Sequence, residues 1–195
     1  KIKKTKIIIS GQNCHSSLEA GPYTGSINSK MLRNIGAKFV ILGHSENRKI
    51  HEDDSLINQK IKSSLKNNLK VILCIGENLN ERKKKLTHKI LLKQITKGLK
   101  NINKSNNILL AYEPTWSIGT GVIPKIDDLK KDIMFIKKNL NKMFKNDNVK
   151  ILYGGSVNSN NILDLKKIND IDGFLIGGAS QSPNKFIDII KKTFN

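Results

Sequence analysis

Residues 111–121 read Ala-Tyr-Glu-Pro-Thr-Trp-Ser-Ile-Gly-Thr-Gly and place one carboxylate, Glu113, at the end of an apolar run and directly before a glycine-rich loop. The run 108–112 has the length of a buried strand, and α/β folds hold their ligands at the C-terminal ends of strands. Pro114 and Pro124 stiffen the two ends of the loop, while Gly119 and Gly121 let its tip bend and leave backbone N–H groups bare. A lone Glu-Pro pair usually marks a solvated loop. The whole pattern instead suits a catalytic base covered by a lid.

A second apolar run, residues 38–43, ends at His44, with Ser45 and Glu46 opening the next segment. A single histidine beside an apolar run is more often a core residue or a cap. Its place at a strand end, matching that of Glu113, points to chemistry. Two further runs lead into glycine pairs, one into Gly154-Gly155-Ser156 and the other into Gly177-Gly178-Ala179-Ser180. One Gly-Gly is usually a turn. Two of them, each ending a strand late in a βα series, match the phosphate site made by the loops after the last two strands of an eight-stranded barrel.

The chain alternates strand and helix throughout. Apolar runs predict strands at residues 7–12, 38–43, 71–76, 108–112, 149–154 and 173–177, with helical periodicity at 54–68, 85–100, 127–145 and 184–194. Six βα units in series imply a parallel sheet with right-handed crossovers. The basic run Arg82 to Lys85 reads as a solvated helix face, and no Gly-, Pro- or Ser-rich linker marks a second domain.

The segments Val40-Ile-Leu-Gly-His-Ser-Glu46, Cys74-Ile-Gly-Glu77, 111–121, Tyr153-Gly-Gly-Ser-Val157 and Asp172-Gly-Phe-Leu-Ile-Gly-Gly-Ala-Ser180 together resemble the triosephosphate isomerase family, in its order and at its spacings. The resemblance implies an α/β fold of the (β/α)8 TIM-barrel family, incomplete here at about six units. It implies an aldose–ketose isomerase acting on a triose phosphate through an enediolate, with no cofactor and no metal.

By that resemblance Glu113 is the base and His44 the electrophile that polarises the carbonyl. This family is itself the standard illustration of a neutral histidine whose pKa is lowered by a helix N-terminus. Gly119, Ser156, Gly177 and Gly178 match positions whose N–H groups hold the substrate phosphate. The loop between Pro114 and Pro124 matches the closing lid, also a standard illustration, and Tyr153 matches the residue that latches it.

The departures set further expectations. The family begins with a strand carrying an Asn-x-Lys pair, and nothing like it precedes Ile7. The barrel typically needs about 250 residues, and the strand expected at 7–12 corresponds to the family's third. Strands one and two are therefore expected to be missing, the remaining edges to pair with another copy, and turnover by this stretch alone to be low. The loop 12–26 matches the family's dimer contact around Thr24, but Ser26 and Asn47 depart from its pattern. A homo-oligomer joined through the open edges is the expectation.

Composition bounds the rest. A chain of 195 residues that is 37% hydrophobic suits one domain over 1–195. Neither an apolar run of membrane-span length nor a signal-peptide pattern is present. Cys14 and Cys74 have no metal-type spacing, so free thiols and a cytoplasmic setting are expected, with His15, His51 and His88 exposed. The net charge of +19 raises nucleic acid as a partner. Of the basic residues, however, only Arg33, Arg48 and Arg82 are arginine, and aromatics are 5%, so base readout and stacking platforms are poorly served. Three classes follow: an isomerase, a non-catalytic relative that keeps phosphate affinity or only assembles, and a basic nucleic-acid binder. Turnover separates the first from the others, and a salt titration of DNA binding isolates the third.

Overall fold

The structure, a computed structural model, describes residues 5–145 and 148–194. Six strands lie in one sheet in the order β1-β2-β3-β4-β5-β6, the order of the chain itself. By packing, the backbone falls into two compact units, 1–74 with 96–109 and 75–95 with 110–195.

The first unit carries β1 (Ser10–Gly11), α1 (Ser29–Asn34), β2 (Phe39–Leu42), α2 (Ser45–Ile50), α3 (Asp54–Lys66) and most of β3 (Lys70–Ile75). β1 and β2 pair in parallel, with Ser10 opposite Phe39, and β2 pairs in parallel with β3, with Val40 opposite Val71. Val40, Leu42, Val71 and Leu73 of the strands and Ile57 and Ile61 of α3 are all fully buried. The helix starts are capped by side chains: Asn28 accepts from Met31 N–H, and Asp53 from Leu56 N–H.

The second unit carries α4 (Leu79–Lys83), most of α5 (Thr87–Gly98), the inner end of β4 (Ile108–Tyr112), α6 (Ile126–Met143), β5 (Lys150–Tyr153), α7 (Ile162–Leu165), β6 (Gly173–Phe174) and α8 (Pro183–Phe194). A short 3-10 turn at Gly178–Gln181 precedes α8. α6 buries Leu129, Ile133, Ile136 and Leu140, an apolar stripe at helical spacing. Asn78 and Glu81 form a reciprocal capping box at the start of α4.

The predicted strands are present, with one shortened at each end of the sheet. Pairing of β1 covers only Ser10 and Gly11, extended by Lys38 N–H donating to Ile9 O, and Ile7, Ile8 and Ile9 stand 67%, 58% and 44% exposed. An apolar run becomes a ladder only where a partner backbone lies beside it. β6 likewise stops at Phe174, because Gly177 turns the chain into the 3-10 segment. Among the described residues no helix is long and apolar enough to cross a membrane, and no three metal-ligating side chains gather.

Candidate active site

Glu113 is held at the end of β4 by the sheet itself. Its N–H donates to Ile75 O at 2.7 Å, and Thr115 N–H donates to Glu77 O at 3.0 Å. The residue is 2% exposed. Two glycines make that burial possible. A β-carbon at Gly76 would lie 1.8 Å from Glu113 O, and one at Gly154 would lie 2.7 Å from Glu113 Cγ. The carboxylate therefore emerges through backbone that no larger residue could supply.

The loop after Glu113 is tied down through Ser117, which is fully buried. Its Oγ donates to Val122 O at 2.6 Å, lies 3.2 Å from the Tyr153 hydroxyl, and accepts from Ser156 N–H at 3.1 Å. Farther along, Gly121 N–H donates to Ser156 Oγ at 3.1 Å. Gly119 and Gly121 have φ of +71° and +79°, which is why the tip takes glycine. Both halves of the loop thus rest on the Gly154-Gly155-Ser156 turn. Burial pushes the Tyr153 hydroxyl up to about 12; the Ser117 bond opposes this, and the Glu77 charge adds to it. It stays a neutral hydroxyl at ordinary pH.

Gly177 and Gly178 lie exposed ahead of α8, and a β-carbon at either would meet open space. Gly177 O accepts from Ser180 N–H at 2.9 Å, closing the turn that starts the helical segment. This leaves room for an anion close to backbone, at the helix-start location expected for phosphate.

In the first unit, His44 is the N-cap of α2. Its Nδ1 accepts from Glu46 N–H at 3.3 Å. A ring nitrogen that accepts carries no hydrogen, so the neutral ring has its proton on Nε2 and can donate it to a carbonyl oxygen. Arg48 holds the turn that presents this ring: Nε donates to Gly43 O at 2.7 Å, Nη2 to Cys74 O at 3.0 Å, and Nη1 to Asp54 at 2.7 Å. Gly43, at φ +74°, completes the bend before His44.

In the second unit, Glu77 is fully buried and anchors the start of the loop. Trp116 Nε1 donates to its Oε1 at 3.2 Å, Tyr112 OH to its Oε2 at 3.1 Å, and Arg82 Nη1 to its Oε1 at 3.2 Å. Burial raises the Glu77 carboxyl above the usual range, against those bonds and its backbone contact.

A family model described as Triosephosphate isomerase matches residues 1–193. The chain belongs to the triosephosphate isomerase family. It is 42% identical over 190 residues to the triosephosphate isomerase of Thermodesulfovibrio yellowstonii, covering 96% of this chain and 77% of the relative. It is 43% identical over 196 residues to that of Borrelia garinii, covering 97% and 77%. The crystal structure of triosephosphate isomerase from Bartonella henselae superposes with a TM-score of 0.88 at 34% identity, covering 96% of this chain and 77% of that one. The α/β fold of this family, expected from the motifs, is the fold observed.

Within the second unit the structure brings Glu113, the loop bearing Gly121, and the Ser156 turn together, while Gly177 and Gly178 lie past the end of the neighbouring strand β6, at the 3-10 turn. His44 lies in the first unit. Three residues escaped sequence reading. Ser117 sat inside a quoted motif without a role. Arg82, expected on a solvated face, is instead turned inward onto Glu77 and Asp132. Asp132 is 4% exposed, three residues after Leu129 on the apolar face of α6, and that helical spacing was the signal available for it. Nor is His15 a fully exposed residue: it is partly covered, its ring 4.4 Å from that of Tyr23.

Proposed function

We propose that this chain, as one domain over 1–195, interconverts glyceraldehyde 3-phosphate and dihydroxyacetone phosphate. Glu113 takes a proton from the carbon beside the carbonyl. The His44 Nε2–H polarises the carbonyl oxygen as the enediolate forms, and the proton returns to the neighbouring carbon. Gly119, Ser156, Gly177 and Gly178 offer N–H groups to the phosphate, and the loop from Pro114 to Pro124 excludes water from the reactive intermediate. The observation that carries this reading is the buried Glu113, its backbone carbonyl against Gly76 and its side chain against Gly154, next to a turn whose Ser156 holds the following loop. No cofactor or metal enters the reaction.

Isomerase turnover beside Glu113→Ala is the test. The turnover of the parent should fall by about 10³-fold or more when the base is lost. Equal turnover in the two proteins overturns the reading.

The same proposal takes the protein as a cytoplasmic homo-oligomer without specific nucleic-acid partners. The buried free thiols Cys14 and Cys74 suit a reducing compartment. Exposed Ile7, Ile8 and Ile9 beside β1, and exposed Phe186, Ile187, Ile190 and Phe194 on α8, are apolar surfaces of the kind that association covers. Light scattering of the parent and of Ile8→Pro tests this. A monomer at micromolar concentration, or an oligomer indifferent to the proline, defeats edge pairing.

A further inference from the structure

Asp132 has no part in the reaction just described, yet the fold buries its carboxylate and surrounds it with donors. Arg82 Nη1 donates to Oδ2 at 2.5 Å, Tyr112 OH lies 3.1 Å from the same oxygen, and His88 Nε2 lies 3.0 Å from Oδ1. The His88 ring is stacked flat on Phe135, 4.1 Å between centroids and 4° between planes. Three elements, α4, α5 and β4, therefore converge on one side chain of α6.

Two of these donors to Asp132, Arg82 and Tyr112, also serve Glu77. Arg82 Nη1 reaches Glu77 Oε1 at 3.2 Å, and the Tyr112 hydroxyl reaches Glu77 Oε2 at 3.1 Å. Tyr112 has one proton for two carboxylates at the same distance, so how it is shared depends on where Arg82 sits. Glu77 in turn takes the indole N–H of Trp116, and the Arg82 guanidinium lies 5.7 Å from the Trp116 ring. A displacement of Asp132 is thus transmitted through two shared donors to the first turn of the loop that follows Glu113.

Stability alone does not account for the arrangement. A second buried carboxylate beside Glu77 must be desolvated, and apolar side chains at such positions are often neutral or stabilising replacements. What a charged pair adds is direction, because Arg82 Nη1 bonds to both carboxylates at once and its charge is thereby fixed in place between them.

We propose that Asp132 is a positioning residue for the loop: it orients Arg82 and shares the Tyr112 hydroxyl so that Glu77 holds Trp116 in register, with His88 bracing its second oxygen. This rests on the loop's role as a lid in the isomerase reading. Misplacement of a catalytic frame by about 1 Å can cost on the order of 10²-fold.

Trp116 is the single tryptophan of the chain, so intrinsic fluorescence reports on this hinge alone. In Asp132→Asn, acrylamide quenching of Trp116 is expected to rise about twofold, with kcat down about tenfold and KM changed less than threefold. His88→Phe keeps the stack, stands at a half-exposed position and removes only the bond to Asp132. It should shift quenching and kcat in the same direction by less, and it serves if Asp132→Asn does not fold. Quenching and kcat of His88→Phe and of folded Asp132→Asn all within a factor of about 1.3 of the parent would overturn the proposal and leave Asp132 a structural residue. The quenching measurement needs no turnover. A parent without isomerase activity therefore defeats the functional reading, while quenching still decides this one.

Discussion

Gly154 lies against the side chain of Glu113 so closely that a β-carbon there would stand 2.7 Å from Glu113 Cγ and 3.1 Å from Oε1. The contact is with the carboxylate end of the residue, not with its backbone. Gly154→Ala should therefore redirect the carboxylate before it disturbs the sheet, and turnover should fall about 10²-fold with a folded protein remaining. Steady-state kinetics with circular dichroism on the same sample checks this, and parental turnover would show that the carboxylate has room to move.

Gly76 makes the contrasting case, because a β-carbon there would meet Glu113 O at 1.8 Å. Backbone cannot swing aside as a side chain does. Gly76→Ala is expected to destabilise the fold by about 3 kcal/mol, at the upper end of overpacking costs. A urea midpoint within error of the parent would mean that the β3 and β4 strand ends separate freely.

Ser117 joins the loop after Glu113 to the Ser156 turn through Val122 O, the Tyr153 hydroxyl and Ser156 N–H. Ser117→Ala takes this partner from all three, of which the Tyr153 hydroxyl is fully buried, at a cost of about 1–3 kcal/mol. Much of that cost falls on the docked lid, so kcat is expected to drop about tenfold, and the Trp116 emission should change with it. Unchanged kcat would show that Ser117 serves only packing.

Tyr153 gives a pH dependence with a definite sign. Its folded pKa is raised from 10.0 to about 12, chiefly by burial. The unfolded chain therefore loses this proton first as pH rises, and the stability contributed by the neutral hydroxyl is present below pH 10 and lost between about 10 and 12. Relative to Tyr153→Phe, the parent should lose about 2–3 kcal/mol across that window, near 1.4 kcal/mol per unit. Using the variant as reference removes the titration of the many lysines. A difference that stays flat from pH 9 to 12 would place the Tyr153 ring in contact with water.

Gly178 tests the anion site without disturbing the core, since a β-carbon there meets nothing within 4 Å. Gly178→Asp brings a negative charge to the N–H groups expected to hold phosphate. Inorganic phosphate affinity measured by titration calorimetry should fall about tenfold. Equal affinity in parent and variant would locate the anion elsewhere.

Much of the fold and of the candidate site could be read from the chain. The strand before Glu113 was expected at 108–112 and spans Ile108–Tyr112, and the strand before His44 came within a residue of its bounds. Both are continuous apolar runs stopped by a charged, polar or glycine residue, so the boundary is a local property. The run beginning at Ile7 was less legible. Three isoleucines promise burial in any window, but only Ser10 and Gly11 find a partner strand.

Sequence by itself determined where the candidate groups stand: Glu113 and His44 at strand ends, and the Gly154 and Gly177 turns after two later strands, because strand, turn and cap are set by neighbours a few residues away. Only the tertiary structure decided what holds them. Asp132 meets Arg82 across fifty positions, Ser117 meets Tyr153 across thirty-six, and Gly154 makes room for Glu113 from another strand. In sequence Asp132 is one more acid near Asp127 and Asp128, and Arg82 opens a basic run. Whether a charge is solvated or buried depends on which distant surface packs over it, and no local pattern carries that information.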